Sequence, residues 1–322
     1  MVTPPSRQGA PAPERRAILD LGSNTAKLLV ADATPEGLGA IHLEISVPCR
    51  LGWRLGETGL VAETALRRAV EVVGELLEAA RAEGATRIAA VATSALRSAR
   101  NGGDVARAIR GAHGLDVEIL TGEAEAEGVF RGVVSDPFFR ERAILIMDLG
   151  GGSAEWIESD AGRLRRKVSA EVGCVRMSER FLPEHPVRAG QRAALEAHLA
   201  SVLRGPLEGF SAAGRTVVVT GGTACALAML RDPEFLEKAR AGGREHFALG
   251  EAAAMVDGLA GMSLAAIEAN PLVPPQRADV IVAGGITGVA VLRLLGAGGV
   301  YVSARNLRYG RLRSRGADPC AR

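Results

Sequence analysis

One short pattern occurs twice in this chain and constrains its fold more than any other feature. The first copy is Ala17-Ile18-Leu19-Asp20-Leu21-Gly22-Ser23-Asn24-Thr25; the second is Ile146-Met147-Asp148-Leu149-Gly150-Gly151-Gly152-Ser153-Ala154-Glu155, with its aspartate 128 residues after the first. Each copy is an apolar strand that ends on Asp, turns tightly through glycine and leaves on a second apolar strand, Leu28-Leu29-Val30 or Trp156-Ile157. Backbone N–H groups converge on an anion only where no Cβ intervenes, which glycine and small hydroxyl residues permit. A single hairpin of this kind reads equally well as an ordinary β-turn. A matched pair implies two halves facing one cleft, with a carboxylate beside each turn where a hard cation could sit.

The 322 residues suffice for two domains of ordinary size. Net charge is +2, too balanced for a general nucleic-acid binder that works by counterion release. Cys49, Cys174, Cys225 and Cys320 are far apart with no C-x-x-C spacing, so neither a zinc site nor a disulfide framework is suggested. The Pro-rich opening has no apolar h-region and no run is long enough to span a bilayer, so the expectation is a soluble cytoplasmic protein with a disordered tail over residues 1–16.

Periodicity predicts strands over residues 37–46, 87–92 and 117–121 after the first hairpin, with helices over 64–83 and 103–113, the latter capped by Gly114. A helix over 123–134 opens the second half. Strands over 143–148, 154–159, 164–169 and 216–220 follow, with helices over 192–203, 224–230, near 251–259 and over 277–295, a last strand over 300–303 and a terminal helix over 307–315. The expected fold class is therefore α/β, two duplicated halves with a cleft between them. Domain I comprises residues 17–122 plus 304–322 and domain II residues 123–303, with hinges near Gly122 and Ser303.

Other segments could carry chemistry. Gly221-Gly222-Thr223 follows a buried strand and opens a helix, so its N–H groups can bind an anion. A fourth glycine turn, Ala283-Gly284-Gly285-Ile286-Thr287, fits close helix packing better. Of Glu123, Glu125 and Glu127, the first and third are explained by a helix N-terminus; Glu125 is the candidate to deprotonate an attacking water. Glu155 shares a hairpin with Asp148 and could share a metal. No Ser/His/Asp arrangement is present, so covalent catalysis is not suggested.

Together these residues resemble the Ppx/GppA phosphatase family, the exopolyphosphatases and guanosine pentaphosphate phosphohydrolases, in its short two-domain form. The resemblance rests on Asp20-Leu21-Gly22-Ser23-Asn24-Thr25, Arg50-Leu51-Gly52, Ala92-Thr93-Ser94-Ala95-Leu96-Arg97, Thr121-Gly122-x-x-Glu125-Ala126, Asp148 to Glu155, Val172-Gly173-x-Val175-Arg176-x-x-Glu179, Gly221-Gly222-Thr223 and Leu307-Arg308-x-Gly310, in that order. It implies an actin-like, sugar-kinase-type (ribonuclease H-like) fold and Mg²⁺-dependent release of terminal phosphate from polyphosphate or from guanosine penta/tetraphosphate. It also implies catalytic roles for Glu125, Asp148 and Glu155, and a metal at Asp148, Glu155 and Asp20. Phosphate binding falls to Ser23, Asn24, Arg97, Gly150, Gly151, Gly152, Ser153, Gly222 and Thr223, and a homodimer is implied. The family pattern has arginine and glycine where this chain has Glu127 and Asn306. An acid at 127 would repel a long polyanion, favouring short polyphosphates or nucleotides, and Asn306 could take a left-handed conformation. Two alternatives stay open: an ATP-dependent kinase of the same superfold, and a (p)ppGpp-binding sensor without turnover.

Overall fold

A computed structural model describes residues 14–34 and 37–313. Its architecture is two mixed sheets with helices between and outside them. The first sheet contains β1 (Glu14–Leu21), β2 (Thr25–Thr34), β3 (Gly37–Pro48), β4 (Arg87–Ala92) and β5 (Val117–Ile119), in the order β3-β2-β1-β4-β5. The second contains β6 (Ala143–Leu149), β7 (Ala154–Asp160), β8 (Arg163–Ala170), β9 (Thr216–Thr220), β10 (Glu245–Ala248) and β11 (Gly299–Val302), in the order β10-β11-β9-β6-β7-β8. Read from β8 inward, the second sheet repeats the first and adds β10 antiparallel at one edge. The duplicated α/β organisation expected from the paired turns is thus the one the chain adopts.

The register places the chemistry. β1 and β2 pair with Asp20 opposite Lys27, and β6 and β7 with Asp148 opposite Glu155. The two hairpins therefore present equivalent positions with different charge, Asp and Lys on one, Asp and Glu on the other.

Between the sheets lies a layer of two helices, Gly122–Val133 and Leu307–Arg313. Ile18 and Val91 of the first sheet, Ile146 and Val218 of the second, and Val129 and Leu307 of the helices share one core. The two helices cross so closely that a Cβ on Gly310 would lie 1.9 Å from the Gly128 carbonyl oxygen, which is why the Leu-Arg-x-Gly motif ends in glycine. Outside the first sheet, the helix Glu63–Ala82 buries Ala69, Val73, Leu76 and Ala80 at helical spacing. The helix Ile281–Leu294 is apolar on nearly all sides because it packs inside the second domain. The fourth glycine turn lies within it, with a Cβ on Gly285 only 2.6 Å from Val256, so helix packing explains those glycines.

Several expectations need correction. β1 starts at Glu14, so residues 14–16 belong to the sheet and not to the tail; residues 1–13, Cys320 and the end of the terminal helix lie outside the described residues. Asn306 has no positive φ. Its Oδ1 instead accepts from the Arg308 amide at 3.2 Å, capping the last helix with its side chain. The helix Cys174–Phe181 and strand β10 were not anticipated. Cys49, Cys174 and Cys225 are free thiols, with Cys49 pushed up to about 12 chiefly by burial. Among the described residues no helix is long and apolar enough to cross a membrane.

Candidate active site

Both hairpin turns open into one cleft between the sheets, lined by Asp20, Ser23, Asn24, Lys27, Glu125, Asp148, Gly150 to Ser153, Gly222 and Arg277. Each turn is closed by one backbone bond, Gly22 N–H to Thr25 O at 3.1 Å and Gly150 N–H to Ser153 O at 3.0 Å. Each is also braced from behind. The amides of Cys49 and Arg50 donate to Asn24 O, and Gly52 N–H donates to Ser23 O. The second turn is braced by the start of the helix Cys174–Phe181, whose Cys174 and Val175 amides donate to Gly150 O and Gly151 O. A Cβ on Gly173 would lie 2.4 Å from the Gly151 backbone, so this brace requires glycine. These contacts explain the Arg-Leu-Gly and Val-Gly-x-Val segments of the sequence.

So constrained, the amides of Ser23, Asn24, Gly151, Gly152 and Ser153 donate to no protein acceptor among the described residues. Small residues and unspent donors on both walls could cradle an anion. The halves are close: a Cβ on Gly152 would meet Ser23 Oγ and Ser94 Oγ at 2.5 Å. The free volume of the cleft is about 50 Å³. Across the cleft, Asn24 Nδ2 donates to Gln276 O at 2.7 Å, Arg50 Nη1 to Asp279 Oδ2 at 2.5 Å and Ser98 Oγ to Glu171 at 2.8 Å.

Glu125 projects from the first turns of its helix, which Thr121 caps by accepting from the Ala124 amide. It is only 7% exposed. Burial pushes its carboxyl up to about 7, against the opposing pull of Arg97, with Asp20 and Asp148 adding repulsion. Arg97 Nη1 donates to Glu125 Oε2 at 2.8 Å and to Leu120 O at 3.0 Å, so it pins the carboxylate. The phosphate contact expected of Arg97 is not what this geometry presents. Its nearest link to the phosphate turns is Nη2 to Ser153 Oγ at 3.5 Å.

Asp148 is raised to about 6 by burial, with Lys27 pulling the other way and Asp20 repelling. Glu155 is fully buried and lies well above the ordinary carboxylate range, through burial and then the charges of Glu125 and Asp148. Its Oε1 accepts from Ser169 Oγ at 2.7 Å, while Oε2 has no partner. Asp20 Oδ1 is likewise buried without a partner, and Asp20 Oδ2 lies 3.6 Å from Lys27 Nζ. Buried carboxyls that repel one another, with two orphaned buried oxygens on Asp20 and Glu155, fit a nearby divalent cation. No three His, Cys, Asp or Glu side chains among the described residues converge to hold an ion by themselves. The donor set suits an ion that keeps waters and takes phosphate oxygens, the habit of Mg²⁺.

The sequence reading missed two cleft residues. Lys27 could have been found from its equivalence to Glu155 in the duplicated pattern. Arg277 lies so tightly over the third glycine turn that a Cβ on Gly222 would be 1.5 Å from its Nη2; no local motif marks it. Thr223 does not face the cleft. Its buried Oγ1 points toward Gly284, and the residue lines an apolar cavity of about 60 Å³ beneath the turn. Glu127 is also absent from the cleft lining; despite partial burial, Lys167 and Arg131 hold its carboxyl below the ordinary range. Its charge is spent on those partners and gives no ground for repulsion of a polyanion.

The sequence matches the Ppx/GppA phosphatase family over residues 29–315. It is 30% identical to Exopolyphosphatase 1 of Mycobacterium bovis over 172 residues, 53% of this chain and 50% of that protein, so the chain spans about half the length of the curated relatives it matches. The crystal structure of an exopolyphosphatase from Cytophaga hutchinsonii superposes with a TM-score of 0.84 at 25% identity, covering 93% of this chain and 96% of that one. The Aquifex aeolicus member of the Ppx/GppA family superposes with a TM-score of 0.76 at 25% identity, over 93% and 96% of the two chains. On the family match and these whole-chain superpositions, the chain belongs to the Ppx/GppA phosphatase family.

Proposed function

We propose that this chain is a phosphoanhydride hydrolase that releases terminal phosphate from inorganic polyphosphate, with Mg²⁺ as cofactor. The observation that carries the reading is Glu125, a buried carboxylate raised to about 7 and pinned by Arg97 at the edge of a cradle of unspent amides. A general base works best with a pKa near the operating pH. Ionised Glu125 takes a proton from water, whose oxygen attacks the terminal phosphorus in line with the departing phosphate. The amides of the two turns and Lys27 stabilise the charge that grows on the phosphate oxygens, and Arg277 meets the chain farther along. Asp148, Glu155 and Asp20 are the residues that would hold Mg²⁺, which would neutralise phosphate charge. The terminal anhydride of guanosine pentaphosphate offers the same bond to the same machinery.

Phosphate release with Mg²⁺ from short polyphosphate, long polyphosphate, guanosine pentaphosphate and ATP, measured side by side, tests the reading. Release from polyphosphate with ATP poor supports it. Release from guanosine pentaphosphate alone moves the substrate to the nucleotide, and ATP consumption only with an acceptor makes the chain a kinase. Tight binding without release from any of them makes it a sensor.

A further inference from the structure

Away from the cleft, a larger groove of about 410 Å³ is lined by residues of both halves. Its walls are the start of edge strand β3, Arg140 after the helix Gly122–Val133, Arg240 of the helix Phe235–Arg240, and Ala304-Arg305 between β11 and the last helix. The pairing of β2 and β3 slips twice here, between Val30 and Ala31 and again between Ala31 and Ala33. No described lining residue is acidic, while three are arginines. Arg140 Nε donates to the Val134 carbonyl at 3.1 Å and Arg305 Nη1 to Ser135 Oγ at 3.0 Å, both neutral acceptors. Among the described residues, only Arg240 of the three meets a carboxylate, Glu44, which it shares with Arg308 and Tyr309. Leu38, Ile41 and the Tyr309 ring supply an apolar wall beside this charge.

We propose that this groove is a second anion site, distinct from the hydrolytic cleft, that binds a polyphosphate group, either a free phosphate chain or the phosphates of a nucleotide. Planar guanidiniums with unspent donors match phosphate oxygens in pairs, and two of the three meet no opposite charge among the described residues. The groove touches β3 of the first sheet, the second domain through Arg240, and the connection Ala304-Arg305 between β11 and the last helix.

The test is equilibrium binding of tripolyphosphate to the full chain carrying Glu125→Gln, with and without Arg140→Ala and Arg305→Ala, followed by hydrogen exchange. Two sites per chain are expected. The paired substitution weakens one of them at least about tenfold, removing protection of residues 37–41 and 304–309 and leaving that of residues 150–153. Arg140→Lys with Arg305→Lys restores part of the loss. If the alanine pair does not fold, the exposed Arg140→Glu carries the same comparison. Guanosine triphosphate binding the groove more tightly than tripolyphosphate assigns the apolar wall to a base; equal binding assigns a phosphate chain. A single site, or a second one that ignores these arginines, overturns the proposal.

Discussion

Glu125 owes its character to opposing neighbours. Burial holds its proton on, Arg97 pulls the proton off, and the net position is about 7. The rate should therefore rise with pH through about 7 and level off above it. Arg97→Ala removes the group that lowers this pKa, so its residual activity should show the same limb displaced to higher pH; a limb that stays in place would limit Arg97 to a structural role. The same burial makes Glu125 a liability for folding. At pH values below its ordinary 4.5 it is protonated in folded and unfolded chains alike. From there to about 7 only the unfolded chain ionises, so stability falls as pH rises and stays lowered above. Glu125→Gln should accordingly gain stability relative to the parent at pH 8 and not at pH 4 in the metal-free protein; chemical denaturation at the two pH values checks the sign. Glu125, Asp148 and Glu155 were legible as single residues because their motifs are local. Arg97's attachment to Glu125 was not, since it depends on how the helix Gly122–Val133 lies against the end of β4.

At the level of elements, alternating and helical apolar spacing located most strands and the long helices. The misses have physical reasons. The helix Cys174–Phe181 is short, and it braces a turn 24 residues earlier, visible only once Val175 N–H is seen to meet Gly151 O. Strand β10 has four residues, Glu245–Ala248, half of them facing solvent, too brief for a period to show. Asn306 was read through its backbone when its side chain does the capping. The crossing of the two central helices gives a test of packing. Gly310→Ala puts a methyl against the Gly128 carbonyl and should cost about 3 kcal/mol, seen as a lower midpoint in urea with an unchanged slope. A neutral result would show that the helices do not cross at this contact.

For the whole molecule, the duplication was legible because both hairpins keep the same spacing, whereas the approach of the halves was not, because Arg50 and Asp279, or Asn24 and Gln276, share no local pattern. These ties join the halves across a cleft of about 50 Å³, and we expect substrate entry to need the halves to part. Asp279→Ala removes one partly exposed tie; we expect a larger radius of gyration in solution scattering and a raised KM with kcat little changed, since a closed state populated less often binds more weakly. An unchanged radius with unchanged KM would mean that the remaining contacts set the closure alone. The central claim is that Glu125 activates water in this cleft. Its most direct test is phosphate release from tripolyphosphate with Mg²⁺ by the parent and Glu125→Gln proteins, with binding measured on the same samples. The account predicts turnover lower by about 10²- to 10⁴-fold with affinity retained. Equal turnover in the two proteins would contradict it and remove Glu125 from the reaction.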